Sequence, residues 1–230
     1  MNEICKINTE KELVSFLKRF NHEKIIEIEE NDSQFLALKN LYNRFKNLPD
    51  LEEKFLTFIV VNALISYQLS GTGEQYWQEF SEKIDLNKNL EQAFLEFLKI
   101  CKYNKRIPSS KIKRINKIKD LNLDLRFYSK EGFLELRDEL EQRLSKGKTI
   151  NFAVKMYGYG CRILTNKFIA FPEEIEIPLD SRILKFSKKI KNFENKKEII
   201  EFWNKISKEV NIAPLHLDSL LWNSLGKKQL

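Results

Sequence analysis

The hydrophobic period constrains this chain more than any other feature. Apolar residues return every three to four positions almost throughout, the spacing that lines one face of an α-helix. Thr9-x-x-Glu12 reads as a capping box that opens a short helix with Leu13, Phe16 and Leu17 on one face. Asp32 and Ser33 precede a helix carrying Phe35, Leu38, Leu41 and Phe45, and Asp50-x-x-Glu53 opens the most apolar helix, through Tyr67. Gly71-Thr72-Gly73 is expected to stop it, since glycine readily supplies a left-handed residue at a helix end. Further helices are predicted over 74–84, 90–103, 109–121, 131–144, 149–165, 181–192, 196–210 and 214–225. Only 168–177 hints at a strand, so the expected fold class is all-α. Seven glycines and five prolines in 230 residues fit that better than a fold rich in strands and turns. Without an internal repeat or low-complexity linker, the chain is expected to be a single unit, 1–230. Two helical lobes with an active-site groove between them, 50–145 and 1–49 plus 146–230, would suit the length.

Composition narrows the chemistry. Cys5, Cys101 and Cys161 are odd in number and widely spaced, and only His22 and His216 are available beside them. Neither a disulfide scaffold nor a zinc or iron–sulfur site is expected, and no cofactor. The start has no apolar signal region, and the longest apolar run, 56–69, is short and interrupted by Thr57, Asn62, Ser66 and Gln68. An intracellular protein without a membrane partner is expected. The net charge of +7 is compatible with a polyanionic partner without requiring one.

That charge is unevenly spread. Residues 97–119 hold no acid but carry Lys99, Lys102, Lys105, Arg106, Lys111, Lys113, Arg114, Lys117 and Lys119. Such a run is either a solvated face or a phosphate-binding one. Residues 142–172 also lack an acid, in a chain with 33 acids among 230 residues. Here Ser145-Lys146-Gly147 turns between two helices, and Lys148 opens the second, whose N-terminal N–H groups suit a phosphate. Lys148, Phe152, Lys155 and Tyr159 form one stripe of that helix, and Ile150, Ala153, Tyr157, Cys161 and Leu164 another that would face a core. A lysine beside apolar surface and a second cation tends toward the free, nucleophilic amine; the plain alternative is that both lysines reach solvent. Asp180 follows Pro178-Leu179 and reads first as a helix cap, though a carboxylate there also suits a developing positive charge on a sugar.

The stretches 147–155 (Gly-Lys-Thr-Ile-Asn-Phe-Ala-Val-Lys), 177–182 (Ile-Pro-Leu-Asp-Ser-Arg) and 214–222 (Pro-Leu-His-Leu-Asp-Ser-Leu-Leu-Trp) resemble the archaeal GO glycosylase family. These are 8-oxoguanine DNA glycosylase/AP lyases of the helix-hairpin-helix superfamily. Residues 31–34 and 63–77 resemble it too, in the same order, so the likeness covers nearly the whole chain. It implies the helix-hairpin-helix glycosylase fold. Lys148 would be the nucleophile that attacks the deoxyribose C1′, expels the base and remains as a Schiff base that permits β-elimination. Asp180 would help activate it and stabilise cationic character at the sugar. Phe152 and Trp222 would sandwich a flipped base, with Gln34, Trp77 and Asp218 at polar pocket positions, Pro214 also binding the substrate and Lys155 a second lysine of the site. Oxidation makes N7 of guanine a donor, which an amide oxygen such as that of Gln34 can prefer, while Asp218 can accept from N1 and N2.

The turn lacks the L-P-G-x-G sequence of the wider superfamily, and the 32 residues from Lys148 to Asp180 exceed its usual spacing while agreeing with this family's extended hairpin. The expected partner is double-stranded DNA containing 8-oxoguanine, with single-stranded DNA left open and nothing demanding more than a monomer. Two rivals stand beside this reading: the same scaffold acting on another base, and a non-catalytic helical DNA-binding protein in which Lys148 is only a contact.

Overall fold

The structure is a computed structural model that describes residues 3–225. Among them it contains twelve α-helices and no strand: α1 (Glu10–Leu17), α2 (His22–Glu30), α3 (Ser33–Phe45), α4 (Leu51–Ile65), α5 (Gly73–Lys83), α6 (Leu90–Ile100), α7 (Pro108–Asn116), α8 (Lys130–Leu144), α9 (Lys148–Thr165), α10 (Ser181–Ile190), α11 (Lys196–Val210) and α12 (Pro214–Leu225). The all-α class holds, and the capping box of Thr9 and Glu12 forms as expected.

Local chemistry moved several boundaries. Residues 168–177 form no strand. Pro172 has no N–H to give a ladder, and the Phe171 N–H is used by His216 Nε2 at 3.3 Å. The expected cap at Asp50 is absent: that residue sits at φ 56° and its side chain caps nothing. Helix α4 stops at Ile65, two residues early, where the Ser66 hydroxyl donates to Ala63 O at 2.6 Å. The 71–73 stretch starts the next helix instead of ending this one, because Thr72 and Gln75 make a reciprocal capping box for α5. Helix α7 ends at Asn116, five residues short of the expectation. Helix α2, with five charged residues and His22 in nine positions, has too weak an apolar stripe to be read from sequence; Asn21 caps it.

The chain forms two compact units. One takes both ends of the chain, up to Asp32 and from Ala170 onward. Leu13, Leu17 and Ile25 from the first segment share a core with Ile183, Trp203, Leu217 and Leu221 from the second. Helix α12 packs on α2, α10 and α11. A buried polar cluster ties the segments together: His216 Nδ1 lies 2.7 Å from Glu29 Oε1, and the Ser219 hydroxyl donates to the same oxygen at 3.1 Å. Since Nε2 accepts from Phe171, the imidazole proton sits on Nδ1 and points at the carboxylate, which satisfies three groups that would be costly to bury alone.

The other unit runs from Ser33 to Ile169 and is built on α4 against α9. Every residue from Phe55 to Ile65 in α4 is buried, as is every residue from Ala153 to Arg162 in α9. A Cβ on Gly160 would lie 3.0 Å from the ends of Leu56 and Ile59, so the two helices meet closely there. Helix α7 carries a lysine into this interior. Lys111 has no exposed surface; its Nζ donates to Asn104 Oδ1 and lies 5.2 Å from the Tyr67 ring centre. Asn104 in turn donates to Ile65 O at 3.2 Å. Arg114, one turn along α7, lies 5.6 Å from the same ring and donates to Thr149 Oγ1 at 2.9 Å, in the first turn of α9. Burial pushes the Lys111 ammonium down to about 8, with the charge of Arg106 contributing.

Two predictions follow from this packing. A Cβ at Gly132 would come within 2.6 Å of the Phe127 backbone, which no rotamer relieves. Gly132→Ala should therefore cost about 1–3 kcal/mol and lower the melting temperature by several degrees. For Lys111, a folded pKa below the unfolded one means the unfolded chain holds more protons between about pH 8 and 10.5, so stability rises with pH across that window. Melting curves of wild type and Lys111→Met should thus diverge in favour of wild type from pH 7 to pH 10. A pH-independent difference would contradict a buried, ionisable Lys111.

Candidate active site

In the Ser33–Ile169 unit the turn between α8 and α9 has a different backbone from the one its glycine suggests. Ser145, at φ 68° and ψ 155°, takes the conformation otherwise nearly reserved for glycine, and its N–H donates to Glu141 O at 2.9 Å. Gly147 is extended, at φ 167°, and a Cβ there would meet nothing within 4 Å. The fold has no steric need for this glycine; what it provides is an unobstructed outer face of the turn.

Lys148 is the first residue of α9 and is exposed. The next residue, Thr149, receives the hydrogen bond from Arg114, so the first turn is held from the side by α7. Along the expected stripe, exposure falls from Lys148 through half-buried Phe152 to Lys155 and Tyr159, at 1% and 0%. The stripe therefore runs into the interior, and α9 has no solvated face along most of its length. Lys155 does not reach solvent; its Nζ is 5.5 Å from the centre of the Tyr159 ring, which Arg162 approaches to 5.6 Å. The Trp77 ring stands edge-on to Phe152 at 6.1 Å, and Gln34 is buried in the first turn of α3, which packs on α5 and α9. This unit therefore gathers Gln34, Trp77, Phe152 and Lys155 around α9.

The other expected residues lie in the unit formed by the chain ends. Asp180 is half-buried and caps α10, its Oδ1 accepting from the Ile183 N–H at 2.8 Å. Cap geometry fixes that carboxylate within its helix start. Pro214, Asp218 and Trp222 are spaced four apart on α12 and so share one face; the first two are buried and Trp222 is half-buried. Arg182, quoted in the sequence motif but given no role, lies with its guanidinium carbon 3.5 Å from the Trp222 ring centre. A signal for it was present in the spacing: Arg182 stands two residues after Asp180, in the first turn of the helix that Asp180 caps.

Of the basic residues in 97–119, Lys111 is buried and Arg114 half-buried, while Lys99, Lys102, Lys105, Arg106, Lys113, Lys117 and Lys119 are exposed. The two buried thiols, Cys101 and Cys161, offer little nucleophilicity. Burial raises Cys101 to about 12, helped by Glu79, and pushes Cys161 well above its ordinary range. Among the described residues, no three His, Cys, Asp or Glu side chains come close enough to hold a metal ion, and no helix is long and apolar enough to cross a membrane.

Known proteins resemble this chain over almost its full length. The family model described as N-glycosylase/DNA lyase (AGOG) matches residues 14–229. The N-glycosylase/DNA lyase of Methanococcus maripaludis is 40% identical across 99% of this chain and 90% of its own length. That of Thermococcus kodakarensis is 39% identical across 94% and 84%. The crystal structure of an 8-oxoguanosine-complexed 8-oxoguanine DNA glycosylase from Pyrobaculum aerophilum superposes with a TM-score of 0.82 at 26% identity, covering 92% of this chain and 85% of that one. This chain belongs to the AGOG family of N-glycosylase/DNA lyases.

Proposed function

We propose that this protein excises 8-oxoguanine from DNA and then cleaves the strand at the resulting abasic site, with Lys148 as the nucleophile. The observation that carries the reading is the likeness to the 8-oxoguanosine-bound glycosylase over nine-tenths of the chain. The position of Lys148, exposed at the start of a buried helix, supports its role: the amine is accessible while its backbone is fixed.

The Lys148 amine bonds to C1′ of the deoxyribose as the C1′–N9 bond breaks and the base leaves with the electron pair. Loss of a proton from nitrogen and opening of the sugar give a Schiff base. That iminium acidifies the 2′ proton, and its removal expels the 3′ phosphate. Asp180 takes up the lysine proton and stabilises positive charge at the sugar, a task suited to a carboxylate held by its own helix cap. The base, flipped from the stack, lies against Phe152 and Trp222. Gln34 accepts from the N7–H that distinguishes the lesion from guanine, Asp218 accepts from N1 and N2, and Trp77, Lys155 and Pro214 complete the pocket. In this reading duplex DNA is the partner and the open outer face of the Gly147 turn receives a backbone phosphate.

Borohydride trapping on a duplex containing 8-oxoguanine tests the nucleophile. Wild type should form a covalent adduct, Lys148→Gln should form none, and Lys155→Gln should retain it. An adduct that survives Lys148→Gln would overturn the assignment. The turn has its own test: Gly147→Ala should melt within about 1 °C of wild type because the Cβ meets no protein atom, yet bind duplex several-fold more weakly. Unchanged affinity in a salt titration would remove the phosphate from this turn.

A further inference from the structure

Arg182 and Trp222 are in closer contact than a charged side chain and a ring need to be by chance. With the guanidinium carbon 3.5 Å from the ring centre, the two planar groups are at van der Waals separation. One face of the indole is therefore covered. A purine could not lie on that same face without displacing the guanidinium.

The location of the pair adds meaning to the contact. Arg182 sits in the first turn of α10, two residues after Asp180, whose carboxylate caps that helix. Trp222 lies on α12, on the same face as Asp218 and Pro214, and α10 packs directly on α12. The Asp180 carboxylate at this helix end offsets the dipole's opposition to a cation there, and the ring holds the guanidinium in place. A cation over one face of an aromatic ring also draws π density toward itself. The opposite face then becomes a better partner for an electron-rich ring, and an oxidised guanine is more electron-rich than guanine.

We propose that Arg182 is a positioning and specificity residue: it backs the Trp222 indole on one face and so fixes and polarises the other face for the damaged base. The order of stacking is guanidinium, indole, base. One short helix turn thereby links the carboxylate assigned to the sugar with the ring assigned to the base. This inference rests on the proposed role of Trp222 as a wall of the base pocket.

The test is a double-mutant cycle read by calorimetric titration of 8-oxoguanosine, with melting temperatures as a control for folding. Arg182→Ala should weaken nucleoside binding by about fivefold. Trp222→Ala should weaken it more, and the double variant should be no weaker than Trp222→Ala alone, because Arg182 acts through the ring. Arg182→Lys, which keeps the charge but loses the planar stack, should fall between Arg182→Ala and wild type. A merely structural role would add its loss in both backgrounds. Equal losses with and without Trp222, or tighter binding in Arg182→Ala, would overturn the proposal; the latter would mean that the guanidinium occupies the side the base needs. If Trp222→Ala binds nucleoside as wild type does, the stacking role of Trp222 fails, and the proposal with it. Borohydride trapping would still report separately on Lys148.

Discussion

The packing of α9 against α4 determines what the Ser33–Ile169 unit can present. Both helices are almost completely removed from water, so their backbones are satisfied internally and their side chains must pack on every side. A helix in that setting cannot slide or rotate without opening voids or clashes, and at Gly160 it has no slack. Lys148 projects from the N-terminal end of α9, where the helix reaches solvent, and Arg114 ties the adjoining Thr149 to α7. The first turn is thus anchored both axially, by the buried body of the helix, and laterally. Placing Lys155 and Arg162 within the same buried stretch is expensive, and aromatic rings accompany both cations there.

Helix α12 plays a comparable part in the unit formed by the chain ends. Its buried face carries His216 and Ser219 to Glu29, while Pro214, Asp218 and Trp222 lie at intervals of four along it. A single helix therefore supplies both the polar tie that closes this core and three of the residues assigned to the base. Changes at His216 or Glu29 would act on Pro214, Asp218 and Trp222 through the orientation of α12.

Much of this was legible in the sequence, for identifiable reasons. Helix registers followed from the period, and 147–155, 177–182 and 214–222 carried the family likeness. Periodicity fails where a helix has no polar face: on α9 the stripe that starts at exposed Lys148 runs into the interior, and spacing alone does not distinguish Lys155 from Lys148. Composition placed Lys111 among the solvent-facing lysines, because nothing local in sequence reveals that Asn104 and Tyr67 await it. Thr72 was read through its flanking glycines as a stop, although its own hydroxyl and Gln75 make it a start. Arg182 was visible only through its place two residues after Asp180, and its partner lies forty residues further along the chain.

The tie between Glu29 and His216 spans 187 positions, and the core around it draws on both ends of the chain. On the ribosome these ends are made at opposite times. Residues 33–169 are contiguous and can complete their own interior while synthesis continues. The first thirty-two residues, however, emerge with apolar faces on α1 and α2 whose partners have yet to be translated. They must wait for α10, α11 and α12, so Pro214, Asp218 and Trp222 become organised after Gln34, Trp77, Phe152 and Lys155. The two sets of residues assigned to the lesion are thus acquired in sequence, the one around α9 before the one on α12.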